Sequence, residues 1–391
     1  MFSAAVLAMR SKYSTPQRFL DALLDLYDEF DAGDTAQVVH PVQLRVCSLL
    51  SIWLMSSFDS DFKNNPTMLF SLQLLLEECS KKSPLLDSFC DRIRALGSNR
   101  DSYISNQFQR RPISPSSRIA NRSSTSSLSD PIRSKSKTWC ERFLMIETKE
   151  IVEQLNCLES DIFCAIKTED LLLHVNVAKR KNASIGDTST VDNSIGHFNF
   201  ISAWVVTRIL MGKKPKARAK MITKFVEIAM ELWHQHNFNT LMAVISGLRS
   251  TPIDRLKQTT LLFPDSVKED LEKLEQLMSS ERQFARYRAA LHEADLPCIP
   301  YLGVTCKDLI YIEEGVQDYL PDGSVNFSKL LMMGDIILTV QQLQSKPHND
   351  PRDEEILSFI LESTVLSEEQ AFDLSLQLEP RQAQPSSSAS S

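Results

Sequence analysis

Apolar side chains recur at three- and four-residue intervals over most of the chain, with few alternating runs, so helices are the regular element able to bury them on one face. Between Arg18 and Phe30 the residues Phe19, Leu20, Leu23, Leu24 and Tyr27 fall on one stripe, and the stretches Val42 to Met55 and Met68 to Cys79 repeat the pattern. Only 10 glycines loosen the backbone, and hydrophobic residues at 42% against 24% charged supply a sizeable core. The expected fold is all-α.

A length of 391 residues calls for more than one core. Residues 1–96 read as a small helical bundle. Between Gly97 and Lys137 the composition turns to serine, with eight basic residues (Arg100, Arg110, Arg111, Arg118, Arg122, Arg133, Lys135, Lys137) against Asp101 and Asp130. So little apolar surface cannot offset the entropy of ordering, and 97–138 is expected to be a disordered basic linker. Its Arg110-Arg111-Pro112-Ile113-Ser114 and Arg133-Ser134-Lys135-Ser136 place serines beside basic residues, as a kinase site or a lipid-attracted patch would. Dense helical periodicity returns over 139–380, interrupted by a polar loop from Lys179 to Ser194, after which a helix is expected to open near Asn199. The tail, 381–391, is low in complexity.

Several kinds of chemistry find no support. A net charge of −7 argues against nucleic-acid binding by the chain as a whole. The eight cysteines are scattered with no CxxC pair, so they read as reduced thiols of a cytoplasmic protein rather than a zinc or disulfide framework. No signal pattern, prenylation signal or continuous apolar run near the roughly 18 residues of a spanning helix is found. Phosphate-loop, nucleophile-elbow and zinc-hydrolase motifs are missing, and His234 and His236, two apart, point to different faces of a helix end.

Three ordered segments of 139–380 resemble the catalytic domain of Ras-family guanine nucleotide exchange factors. The first is Glu147 to Phe163, with Gln154-Leu155-Asn156 and Glu159 at the family's spacing. The second runs from Phe200-Ile201-Ser202-Ala203-Trp204 to Asn237-Phe238-Asn239 and Leu248-Arg249-Ser250-Thr251-Pro252-Ile253-Asp254-Arg255-Leu256. The third, Pro297-Cys298-Ile299-Pro300-Tyr301-Leu302-Gly303 to Glu313-Glu314-Gly315, followed by Val325-Asn326-Phe327-Ser328-Lys329, follows the family almost position for position. Tyr13 to Leu23, with Val42-Gln43-Leu44-Arg45-Val46 and Trp53, is similar to the N-terminal Ras exchanger motif (REM) module that accompanies such domains.

The resemblance implies an all-helical catalytic domain that releases GDP from a Ras-like small GTPase of the Ras, Rap or Ral class. It implies no covalent chemistry and no cofactor beyond the magnesium and nucleotide of the GTPase itself. Any membrane contact would be transient and indirect, at the inner face, through the lipidated GTPase or the basic linker. Spacing places Gly315 at the C′ position of a helix running back to about Gly303, with Ile310 and Glu314 on one face, and a turn at Pro321-Asp322-Gly323 leads to a second helix near Asn326. In the family this hairpin opens the switch region, so carry-over makes Ile310 and Glu314 catalytic. The apolar Ile310 would enter the magnesium site and the Glu314 carboxylate would take the place of a phosphate. GTPase-binding positions carried over are Ser202, Met242, Ser246, Arg249, Thr251, Asp254, Phe284, Lys307, Glu313, Lys329 and Met332. Arg249 replaces a common Asn and Met332 a common basic residue, which leaves a non-catalytic GTPase- or adaptor-binding scaffold as the alternative.

Overall fold

The computed structural model describes residues 2–30, 39–82, 90, 140–176 and 189–380. The expected linker over 97–138 and the tail over 381–391 lie outside them. The chain divides into two compact units, Met1–Thr125 with Asp318–Leu338, and Ser126–Gln317 with Thr339–Ser391. Among the described residues every regular element is a helix, as the periodicity requires.

The first unit holds α1 (Phe2–Tyr13), α2 (Pro16–Glu29), α3 (Pro41–Ser57) and α4 (Pro66–Lys82). The last three open on proline, whose missing N–H costs nothing in a first turn. Thr15 caps α2 by accepting from the Arg18 amide at 3.3 Å, and His40 and Gln43 form a capping box on α3. Leu20, Tyr27, Leu50, Trp53 and Phe62 close the core between them. Pro41–Phe62 is long and apolar enough to cross a bilayer by composition, but it is a core helix here, with Trp53 fully buried and its indole N–H donating to Asp61 at 2.7 Å.

In the second unit, residues 140–145 precede α5 (Thr148–Cys164) and α6 (Thr168–Val175). Then come α7 (Thr190–Leu210), α8 (Pro215–His234) and α9 (Phe238–Leu248), joined by short turns. Trp204 of α7 packs edge-on to Phe143 and to Phe225 of α8, with ring centres 5.6 and 5.3 Å away, at the centre of the core. Gly247 is where α9 meets α7. A Cβ there would stand 2.7 Å from the Ser202 carbonyl, so only glycine permits this approach. The helix expected from Asn199 begins nine residues earlier, at Thr190. The Ser189 hydroxyl accepts from the Asp192 amide at 3.1 Å, Asp170 accepts from the Thr190 amide at 3.0 Å, and Val191 is buried, so capping overrides the polar composition of this turn.

Two short helices, α10 (Thr251–Asp254) and α11 (Lys257–Thr260), follow α9, then α12 (Asp265–Leu277), α13 (Ala285–Glu293) and α14 (Leu302–Gly315). The chain next forms α15 (Phe327–Gln344), α16 (Glu354–Leu361) and α17 (Glu368–Leu378). A buried ion pair fixes α8 and α11 against the end of α17. Arg218, fully buried, donates to Glu379 at 2.7 Å and to Thr259 Oγ1 at 2.9 Å, while Glu379 also accepts from the amides of Gln258 and Thr259. Such a pair is tolerated in a low-dielectric core because hydrogen bonds satisfy both ions.

Candidate functional site

The segment Pro297 to Gly315 is held by α9 and α13 before it becomes a helix. Ile299 exchanges backbone bonds with the α9 entrance, its amide donating to the His236 carbonyl and its carbonyl accepting from the Phe238 amide, both at 2.9 Å. Tyr301 at the N-cap of α14 contributes no side-chain cap, so the first amides of the helix need partners from elsewhere. Tyr287 of α13 accepts from the Tyr301 amide at 2.8 Å, and Asn239 of α9 accepts from the Leu302 amide at 3.1 Å.

Asn239 is itself fixed. Its Nδ2 donates to Glu159 of α5 at 2.9 Å, and the neighbouring Thr240 hydroxyl donates to the other carboxylate oxygen at 3.0 Å. Glu159 is 1% exposed, and His197 stands 3.8 Å from it, with burial lowering the imidazole pKa despite the attraction of that carboxylate. The triplet Asn237-Phe238-Asn239 thus acts as a socket. Asn237 caps α9 through the Thr240 amide at 3.1 Å, Phe238 is buried beside Tyr287, and Asn239 receives α14.

Along α14, Leu309 is fully buried, Ile310 is half-buried, and Lys307, Tyr311 and Glu314 are exposed, Tyr311 at 79%. Ile310 and Glu314 lie one turn apart, as the spacing predicts. Asp308 on the flank accepts from Arg288 at 2.7 Å, tying α14 to α13. The two adjacent acids differ in setting: Glu313 accepts from Asn176 beyond α6 at 3.4 Å, whereas Glu314 faces outward. Gly315 corrects an expectation. It is the last helical residue with no left-handed φ, and α14 ends when Val316 turns extended.

The other predicted positions fall into small groups. Ser202, Met242 and Ser246 are half-buried where α9 crosses α7 at Gly247. Arg249 at the end of α9 donates to Glu275 of α12 at 2.6 Å and to Asp254 at 3.3 Å, with Thr251 exposed alongside. The Glu275 hydrogen bond chiefly raises the Arg249 pKa, so this cation is held within the unit. Phe284 follows Arg282 and Gln283 in three successive left-handed residues, with φ of 48, 58 and 62°, which for residues bearing a Cβ costs about 1–2 kcal/mol each. Its ring packs edge-on to Tyr301, with centres 6.1 Å apart, and the Lys307 ammonium sits 5.7 Å over its face.

Lys329 and Met332 lie on the part of α15 that belongs to the first unit. Met332 is 41% exposed, but Lys329 is 2% exposed and pairs with Asp318 at 2.8 Å. Lys12 of α1 reaches the same carboxylate at 3.0 Å, and a Cβ on Gly334 would stand 2.6 Å from that of Ala5, so α1 and α15 are in close contact. Burial opposes ionisation of Asp318, yet the hydrogen bonds and charges of Lys329 and Lys12 bring its pKa below the usual carboxylate range. The turn between, from Asp318 to Asn326, is closed by the Asn326 amide donating to the Asp318 carbonyl at 2.8 Å, with Gly323 at φ 84°. The sequence reading found the socketed helix but not the supporting bonds of Glu159, Asn239 and Tyr287, nor the Asp318 carboxylate that Lys329 and Lys12 share. Glu159 and the Asn-Phe-Asn triplet carried a sequence signal, Tyr287 and Asp318 none.

The compact helical scaffold around this socketed helix can be set beside known domains. Residues 150–331 are similar to the RasGEF domain family. It is 29% identical over 394 residues to Ras guanine nucleotide exchange factor J of Dictyostelium discoideum, covering 97% of the chain and 46% of that protein. It is 35% identical over 233 residues, 59% of the chain, to mouse Ras-specific guanine nucleotide-releasing factor 1 and to human Rap guanine nucleotide exchange factor 1, of which 18% and 21% are covered. The chain therefore spans less than half the length of each of these relatives. The matched stretch contains Glu159, Asn239, Ile310 and Glu314.

Proposed function

We propose that the chain promotes GDP release from a Ras-like small GTPase, with α14 and the start of α15 as the hairpin that displaces the nucleotide. The observation that carries the reading is α14 itself, a helix whose N-terminus is anchored by buried groups while Ile310, Tyr311 and Glu314 remain toward the outside. Ile310 would bring an apolar group into a magnesium site. A hard cation needs oxygen ligands, and an aliphatic side chain supplies none. Glu314 would set a carboxylate where a phosphate lies and repel it.

The GTPase-binding surface is assigned to Ser202, Met242, Ser246, Arg249, Thr251, Asp254, Phe284, Lys307, Glu313 and Met332, with Lys329 serving through Asp318 to hold the arm of the hairpin. A nucleotide held at picomolar strength resists loss by about 16 kcal/mol, so catalysis requires comparably tight binding to the emptied GTPase. Differential affinity for that state, with no covalent step and no cofactor of its own, is the mechanism. Residues 1–96 are assigned as a REM module, and the names of the relatives support Ras or Rap as the partner class, with Ral a further candidate. The setting is cytoplasmic, at the inner face of membranes. Immobilised chain should retain nucleotide-free Ras or Rap far better than the GTP- or GDP-loaded forms. Equal retention of all forms would replace exchange with a scaffold role.

A further inference from the structure

The end of the second unit where α8 begins carries a concentration of charge that the exchange reading does not use. Lys213, Lys214, Lys216 and Lys220 are exposed within eight residues of sequence, and Lys257 on α11 is exposed as well. Among the described residues none of these five side chains is engaged in an ion pair, in a chain whose net charge is −7. One guanidinium brings the two stretches together. Arg218 donates to the carbonyls of Gly212 and Lys213 at 2.9 and 3.2 Å and, through Nε, to Thr259 Oγ1 at 2.9 Å. Two residues beyond Thr259 the chain exposes Leu261 at 82% and Leu262 at 50%, adjacent in sequence and without an apolar cover.

Single exposed leucines are ordinary, but a protruding leucine pair beside unpaired lysines is a different pattern. We propose that this corner is a docking surface for an anionic lipid bilayer, with Lys213, Lys214, Lys216 and Lys257 against acidic headgroups and Leu261 and Leu262 entering the boundary of headgroup and acyl chain. The combination decides the occupant. Ammonium groups near an anionic leaflet contribute about 1 kcal/mol each, and apolar side chains reaching below the headgroups add the hydrophobic part that a purely polar acidic protein would not accept. The buried Arg218–Glu379 pair fixes the mount, so the surface is preformed and needs no ordering on contact. The net charge of −7 disfavours general adsorption of the chain to an acidic leaflet, which makes a contact through this corner oriented.

The test is co-sedimentation of the full chain with vesicles of phosphatidylcholine alone or mixed with phosphatidylserine, and it does not depend on exchange activity. The chain should sediment with the mixed vesicles only. The variant K213Q/K214Q/K216Q/K257Q should lose about a thousandfold in partition coefficient, and L261N/L262N about tenfold. All six side chains are exposed, so both variants should melt with the parent chain, and the basic segment before residue 139 is retained in each. Undiminished binding by the lysine variant, equal binding to neutral vesicles, or no sedimentation with acidic vesicles would overturn the proposal. So would retention on an immobilised acidic peptide without any vesicle binding, which would assign the corner to a protein partner.

Discussion

Replacing Asn239 with alanine removes two bonds that meet in one buried side chain. The first, to the Glu159 carboxylate at 2.9 Å, is charge-assisted and worth about 1.5–3 kcal/mol. The second, from the Leu302 amide at 3.1 Å, is worth about 1 kcal/mol, and its loss leaves a donor at the start of α14 without a cap in a region where Leu302 is 5% exposed. Glu159 keeps the Thr240 hydroxyl. Together the change should cost about 3–4 kcal/mol, a large share of the stability of an ordinary domain. Urea unfolding measures the total, and hydrogen exchange of the Leu302 amide measures where it falls. Protection at Leu302 should drop more than at the α8 core amides of Phe225 or Ile228. A loss under about 1 kcal/mol with Leu302 protection unchanged would refute the view that Asn239 is the socket of α14.

Two further substitutions probe the ionic supports. Glu379→Gln should destabilise the second unit by about 3 kcal/mol at pH 7, because it discharges the partner of a fully buried arginine. Burial opposes the Glu379 charge, but hydrogen bonds from Thr259, Arg218 and Gln258 lower its pKa below the usual value. The stability from its ionisation is therefore present above about pH 4.5 and lost as pH falls through the depressed folded value, so the gap between parent and variant should narrow in acid urea titrations. Asp318→Asn leaves Lys12 and Lys329, at 7% and 2% side-chain exposure, without their shared counter-ion. A loss of about 2–3 kcal/mol is expected in thermal melting of the first unit, the figure being reduced because Asp318 is itself 38% exposed.

Much of the fold was legible because helical stripes and caps are local. Thr15-Pro16, and the leucine spacing of α2, announce a helix without reference to anything distant. The Thr190 start of α7 was missed because its cap draws on Asp170 across a polar turn. At the candidate site the spacing of Ile310 and Glu314 was enough to place both on one face. Spacing could not separate Glu313 from Glu314, since what distinguishes them is Asn176, 137 positions earlier. Lys329 was carried over as a GTPase-binding position, and its burial depends on Asp318 and on a helix at the other end of the chain. Arg249 stood out as a departure in sequence, but its ties to Glu275 and Asp254 appear only when α12 is packed beside α9. In each case the missing information is a polar pairing set by tertiary packing, which carries no periodic signature.

Release of a fluorescent GDP analogue from Ras or Rap, with and without the chain, tests the central claim most directly. The parent chain should accelerate release strongly, and Glu314→Ala and Ile310→Asp should each remove most of the acceleration, with Glu314→Ala unfolding at the parent temperature because Glu314 is exposed and Ile310→Asp still folded because Ile310 is only half-buried. Full acceleration by both variants would contradict the assignment of α14 as the nucleotide-displacing helix.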